Sequence, residues 1–134
     1  MKINIILDNV NPSNQSDINI KNFGQLSNGS IEEIYCDILD YIDYQNRTVA
    51  IINMLKKCKN NGEICIKFLD SIRIMKDYAS GKISSQQLSD IIKNMQSVNN
   101  ESDILDIVSD NPHFRILKKY NDNYYKVIYL HKKI

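Results

Sequence analysis

The sequence predicts an α/β fold built on a mostly parallel sheet that ends in a C-terminal antiparallel hairpin. Three observations predict it. Lys56 to Asp70 reads as a helix end, a tight turn and a strand, and its alternating residues Ile64, Ile66, Phe68 and Cys65, Lys67, Leu69 include only one strongly polar side chain. Such a run suits a strand covered on both faces, in the interior of a parallel sheet. From Ile31 onward, β-patterned runs alternate with runs at helical spacing, the order that builds parallel sheets. Phe114 to Tyr120 and Tyr124 to Lys132 flank Asn121-Asp122-Asn123, which reads as a hairpin turn.

Met1 to Leu7 carries Ile3, Ile5, Ile6 and Leu7 and reads as the first strand. Asp8 to Asp17 is rich in Asn, Ser and Pro and reads as a loop. Ile18 to Phe23 is a candidate second strand, and Leu26 to Ser30 a turn. Ile31 to Cys36 returns to the β pattern, followed by a strand exit or single helical turn through Ile42. The next helix is expected to be capped by Asn46 or Thr48 and to run to about Lys59, with Ile51, Met54, Leu55 and Cys58 on one face. Its terminal lysines complement the negative end of a helix, and Asn61 or Gly62 is expected to take the left-handed conformation that stops it.

Ser71 to Ala79 has a weaker helical pattern through Ile72, Met75 and Tyr78, ended by Gly81. The best-marked helix start follows: Ser84 and Gln87 form a capping box, with Ile83 and Leu88 placed as a hydrophobic staple, and the stripe continues through Ile91, Ile92 and Met95. Ser102 is the expected cap of a short helix with Ile104, Leu105 and Val108 that stops near Asn111-Pro112.

One domain, residues 1–134, accounts for the length. The formal net charge of +1 gives no global field to recruit nucleic acid or an anionic membrane. Tyr120, Tyr124, Tyr125 and Tyr129, interleaved with Lys118, Lys119, Lys126, Lys132 and Lys133, have the makings of a stacking and phosphate-contact surface. With that net charge, amphipathic strands or a protein interface are the stronger reading, and a nucleic-acid partner is not expected. Cys36, Cys58 and Cys65 are odd in number and include no CxxC, which points to buried thiols and a reducing compartment. No basic segment precedes an apolar run at the start, and no apolar run is long enough to span a bilayer, so neither signal peptide nor membrane partner is expected. The abundance of Ile, Asn and Lys suggests an AT-rich genome, that of a virus or of a streamlined bacterium, and the expected location is the cytoplasm, or a virion if the source is viral.

Several of these residues together resemble a known family. Ser30-Ile31-Glu32-Glu33-Ile34-Tyr35-Cys36 followed by Leu39-Asp40-Tyr41 resembles the fourth strand and exit of class I S-adenosylmethionine-dependent methyltransferases, where S-V-D-E-I-Y and then L-E-H are common. Leu55 to Ile66 resembles the next helix and strand, with Asn61-Gly62-Glu63 in place of P-G-G; Phe114 to Lys133 resembles the terminal strand pair. The likeness covers about Gly29 to the C-terminus and implies a small Rossmann-like three-layer sandwich. Lys2-Ile3-Asn4-Ile5 is similar to the family's first strand, K-L-N-L. There the pattern breaks. The family continues with a glycine loop such as G-C-G, where backbone approaches the cofactor closely; this chain has Ile6-Leu7-Asp8. The family then places an acid after the second strand to accept from the ribose hydroxyls; here Lys21 holds that place and has no acceptor. The span between the first strand and Ile31 is also too short for two helices and two strands.

The candidate residues follow. Asp8, Asp37 and Asp70 end strands on the edge where α/β sheets hold ligands, and are the residues expected to line any residual cofactor pocket. Asp37, Asp40 and Asp43 cluster after one strand, as caps or loop residues in the ordinary case. His113 and His131 form no triad or metal pair of recognisable spacing. No catalytic residue and no metal ligand is assigned. The function expected is a non-catalytic, methyltransferase-like interaction or structural subunit with protein partners in an assembly and no cofactor. The alternative is an active S-adenosylmethionine-dependent methyltransferase, alone or completed by a partner chain.

Overall fold

A computed structural model of the chain describes residues 1–133. Six strands make one sheet: β1 (Lys2–Ile6), β2 (Asp17–Asn19), β3 (Ile31–Cys36), β4 (Cys58–Leu69), β5 (Phe114–Asp122) and β6 (Tyr125–Lys132), in the order β2-β1-β3-β4-β6-β5. The first four are parallel, and β6 and β5 run antiparallel. Five helices accompany them: α1 (Ile20–Phe23), α2 (Tyr44–Lys57), α3 (Ser71–Ala79), α4 (Ser85–Ile92) and α5 (Glu101–Ser109), with a single 3-10 turn at Leu39–Tyr41. The α/β class, the mostly parallel sheet and the closing hairpin are as the sequence predicts.

The local chemistry explains most boundaries. Asp43 caps α2, accepting from the Asn46 N–H at 2.9 Å, so Asn46 and Thr48 lie inside the helix they were expected to start. The helix stops at Lys57 because Cys58 turns extended (φ −66, ψ 130) and enters β4 directly. Asn61 does take a left-handed conformation (φ 67), but within β4, where the pairing with β3 shifts register. Gly62 serves close approach: a Cβ there would meet the Lys59 carbonyl at 2.7 Å, the Glu32 carbonyl at 2.8 Å and Cys58 Sγ at 2.9 Å. Strand β2 is confined to Asp17–Asn19, and Ile20–Phe23, expected to be extended, forms a helical turn that buries Phe23. The Ser84–Gln87 capping box forms as expected. Asn100, not Ser102, caps α5, accepting from the Asp103 N–H at 2.9 Å. The hairpin turn sits one to two residues later than expected, with Asn123 left-handed (φ 54).

Most of the core lies on one face of the sheet. Ile3 and Ile5 of β1, Ile34 and Cys36 of β3, Ile64, Ile66 and Phe68 of β4, and Ile128 and Leu130 of β6 pack with Phe23 of α1, Ile51 and Met54 of α2, and Ile104 and Val108 of α5. Burying an aliphatic side chain of this kind is worth about 1.5–3 kcal/mol. All three cysteines are buried and free.

The opposite face differs: Leu69 and Val127 are buried on it, while the end nearer the start of the parallel strands is open. Strand register lines up Lys2, Glu33, Glu63, His131 and Arg115 in one row across β1, β3, β4, β6 and β5. The next row is Asn4, Tyr35, Cys65, Tyr129 and Lys118. Between these rows lies an open groove of about 360 Å³, lined by Lys2, Asn4, Glu33, Tyr35, Glu63, Cys65 and Tyr129. No helix covers it. The physical reason is the short path from β1 to β2: residues 7–16 contain no helix, so nothing returns over this side. The sheet also has unequal edges, three residues of β2 on one side and nine of β5 on the other.

Candidate functional site

Strand order reverses between β1 and β3, since β1 leads outward to β2 while β3 leads the other way to β4. Open α/β sheets bind ligands at the carboxyl ends of strands where that reversal occurs. A cleft of about 820 Å³ opens there, lined by Leu7, Asp8, Asn9, Ile20, Tyr41, Ile42, Lys93, Asn94 and Gln96. Two smaller ones adjoin it. One, of about 320 Å³, includes Asp8, Lys21, Asn46 and Asn53; the other, of about 270 Å³, includes Leu7, Asp37, Tyr41, Lys67 and Tyr125.

The expected site residues separate on this geometry. Asp8 and Asp37 line adjoining clefts that share Leu7 and Tyr41. Asp8 is exposed, and its Oδ1 accepts from the Lys21 N–H at 2.9 Å, which fixes the start of α1. Asp70 lines none of these clefts; it caps α3, accepting from the Arg73 N–H at 3.2 Å. The Asp37–Asp40–Asp43 cluster disperses into three roles. Asp37 faces a cleft, Asp43 caps α2, and Asp40 is buried, where its carboxylate accepts from the Leu69 N–H at 2.9 Å and from Asn99 Nδ2 at 2.8 Å. Burial pushes the Asp40 carboxyl up, and those two hydrogen bonds work against the shift.

His113 is exposed, and His131 lies in the first row of the uncovered sheet face. Among the described residues, no group of three His, Cys, Asp or Glu side chains converges as metal ligands do. Of the four hairpin tyrosines, Tyr120, Tyr125 and Tyr129 stand on the uncovered face, whereas Tyr124 donates its hydroxyl to Asp77 on α3 at 2.6 Å. Lys118 Nζ lies 4.5 Å from the Tyr129 ring centre and 5.9 Å from that of Tyr120.

Asn19 went unmarked in the sequence and shapes this edge most directly. Its Nδ2 donates to the Leu7 carbonyl at 2.7 Å and to the Val10 carbonyl at 2.8 Å. The Val10 N–H also donates to Leu7 O, at 3.1 Å, so the turn after β1 is closed by its own contacts. An Asn just past a polar loop was the available signal. Tyr41 was also missed; burial, with a hydrogen bond to Tyr125, pushes its phenol up to about 12.

The residues at this edge depart from the methyl-donor pattern that the sequence resembles. None of the chain's four glycines falls in residues 6–9, so side chains at Ile6, Leu7 and Asp8 occupy the approach, and Leu7 packs on the core. The Leu7 carbonyl is already engaged, and Lys21 follows β2 where an acceptor for ribose hydroxyls is needed. Lys21 lines one of the smaller clefts, beside Asp8.

No family model matches the sequence, and no curated protein does. Solved structures match it by shape. An O-methyltransferase family protein from Burkholderia thailandensis aligns over 87% of this chain and 35% of its own, at 14% identity and a TM-score of 0.58. A SAM dependent methyltransferase from Archaeoglobus fulgidus aligns over 87% and 67%, at 9% identity and a TM-score of 0.60. An N-methyltransferase from Bradyrhizobium japonicum aligns over 90% and 62%, at 10% identity and a TM-score of 0.53. The chain therefore spans between about a third and two thirds of the length of these proteins. Its fold is that of class I S-adenosylmethionine-dependent methyltransferases. No described helix is long and apolar enough to cross a membrane.

Proposed function

We propose that this chain is a non-catalytic, methyltransferase-like interaction subunit that works within a larger protein assembly. The observation that supports this reading most is the uncovered sheet face. Mostly parallel sheets are ordinarily covered on both faces. Here one face presents Tyr35 and Tyr120, at 37% and 45% exposure, beside an open groove. At the same time the carboxyl edge lacks the glycine approach and the ribose acceptor that a methyl donor needs. Fold alone carries no activity; the surface chemistry favours binding over catalysis.

One observation favours the alternative, an active methyltransferase completed by a partner chain: the cleft of about 820 Å³ at the strand reversal, which is large enough for a cofactor-sized molecule. Titration calorimetry of the full chain with S-adenosylmethionine separates the two readings. No saturable heat is expected up to millimolar ligand. Saturable micromolar binding would sink the non-catalytic reading and establish the alternative. Lys21→Asp alone is expected to leave binding absent, because the side chains at Ile6 to Asp8 still occupy the approach.

A further inference from the structure

We infer that the partner on the uncovered sheet face is a second copy of this chain, packed face to face about a two-fold axis that runs along the strands between β4 and β6. This deepens the interaction-subunit reading and rests on it.

The first support is the charge division. Residues 114–133 hold Arg115, Lys118, Lys119, Lys126, Lys132 and Lys133 against Asp122 alone, a net +5. The whole chain is +1, so the remainder is −4. Of the hairpin cations, Arg115 and Lys118 share the uncovered face, whereas Lys119, Lys126 and Lys132 stand in register with the core residues Ile128, Phe68 and Phe114 on the other face. Across the sheet from Arg115 and Lys118 the same face carries Glu63 and Glu33, the latter beside Lys2 at 3.3 Å. Glu63 and Arg115 make no ion pair among the described residues and sit on opposite sides of the proposed axis. A surface with opposite charges on its two halves complements itself across a two-fold.

The second support is the strand register. Rotation about an axis along the strands exchanges the two sides of the sheet and keeps each row at its own height. With the axis between β4 and β6, β5 of one copy lies over β3 of the other, and β6 lies over β4. In the first row Arg115 then meets the second copy's Glu33, and His131 meets its Glu63. In the second row Lys118 meets the face of Tyr35, and the broad Tyr129 ring meets small Cys65, the low point of the groove. All four meetings are favourable: two are between opposite or donor–acceptor charges, one is cation–π, one fits a large group to a small one.

The same groove argues against single-stranded nucleic acid as the occupant. The tyrosines would stack bases, but Glu33 and Glu63 line the groove where phosphates would run. The four overlapping strands at ~4.8 Å and about six residues at ~3.3 Å give a face of roughly 400 Å² in plan, which belongs with small, weak interfaces.

Sedimentation equilibrium of the full chain, from about ten micromolar to about one millimolar, tests this. A reversible dimer is expected. Arg115→Glu and Glu33→Arg change exposed side chains, and each alone is expected to weaken the dimer at least about tenfold. In a mixed dimer of the two variants one pair keeps Arg115 against Glu33 and the other has the signs exchanged, so it should recover to within about threefold of the unmodified chain. Circular dichroism confirms folding of each variant, and Lys118→Ala, which only truncates a surface side chain, should weaken the dimer on its own. A monomer throughout, a dimer indifferent to all three substitutions, or no recovery on mixing overturns the inference. So does saturable binding of a fluorescent single-stranded oligonucleotide that Tyr35→Ala abolishes. None of these readouts uses S-adenosylmethionine: a monomer leaves the non-catalytic reading standing, and a dimer that binds the methyl donor sinks that reading alone.

Discussion

Asp40 and Arg47 are both buried and form no ion pair; Asn99 stands between them. The Asn99 carbonyl oxygen accepts from Arg47 Nη1 at 3.1 Å, and its Nδ2 donates to Asp40 Oδ1 at 2.8 Å. The amide is therefore oriented one way, from guanidinium to carboxylate. Ser97 Oγ donates to the Leu39 carbonyl at 2.7 Å, so the segment between α4 and α5 is fastened to the 3-10 turn, to α2 and to the end of β4.

Asn99→Leu keeps the volume and removes both ends of that bridge. Each buried charge then loses one hydrogen-bond partner, which costs about 1–3 kcal/mol for a group left unsatisfied. Urea melts of the variant should show a loss in that range. A loss under about 1 kcal/mol would mean that Asp40 and Arg47 find solvent or other partners.

Gly62→Ala tests the close approach of β3 and β4. The backbone there has ordinary φ, so the obstacle is space: two carbonyl oxygens and a sulfur lie within 2.9 Å of the added methyl position. Overpacking of this kind costs about 1–3 kcal/mol. Asn61→Gly, one residue earlier at φ 67, should be nearly neutral in the same denaturant series, because glycine suits that conformation.

Ile66→Ala and Ser84→Ala should separate core from periphery. Ile66 is fully buried at the centre of the sheet, and its truncation should cost about 2–5 kcal/mol globally. Ser84 caps α4, which buries no residue fully, so its loss of about 0.5–2 kcal/mol should appear as faster amide exchange in residues 85–92. Equal effects on the global midpoint would show that α4 unfolds only with the core.

Alkaline pH should destabilise the fold. Burial pushes the Cys36 thiol up to about 12 and the Cys58 thiol up to about 11. Burial also pushes Tyr35 and Tyr41 up to about 12, and a hydrogen bond with Cys65 does the same for Tyr129. In the unfolded chain thiols ionise at about 8.5 and phenols at about 10. The folded state thus holds more protons in that window, and stability falls as pH rises from about 8.5 to about 12. Urea midpoints at stepped pH should decline from about pH 9, and a flat profile to pH 11 would contradict these burial effects.

What could be read from the sequence was local. Strand β4 was legible because Ile64, Ile66 and Phe68 repeat at period two with one polar residue between them. The Ser84–Gln87 box was legible because both partners lie within one turn. The cap of α2 was misplaced because Asp43, Asn46 and Thr48 can all cap, and only the chain's exit from the 3-10 turn selects Asp43. The role of Asp40 was hidden, since Leu69 and Asn99 stand 29 and 59 positions away. Within the candidate site, Asp8, Asp37 and Asp70 could each be placed at a strand end; which of them faces a cleft could not, because the position that follows β4 also starts α3. The uncovered face was illegible for a different reason: what covers a sheet depends on the path of whole connections, and the alternation within β4 reads the same whether or not a helix lies above it.

The unequal edges of the sheet bear on how this protein behaves at high concentration. β2 offers a stranger only three residues, too few to template anything. β5 offers nine, with Ile116, Leu117 and Tyr120 exposed, and its outer backbone is unpaired. Long apolar edges recruit further strands and seed fibrils, and natural edges are blunted by lysine and by bulges. β5 carries both devices, Lys118 and Lys119 in mid-strand and a register shift between Ile116 and Lys118. These lysines therefore serve as gatekeepers of solubility, and replacing both with threonine should leave the folded state nearly as stable while turning concentrated stocks cloudy.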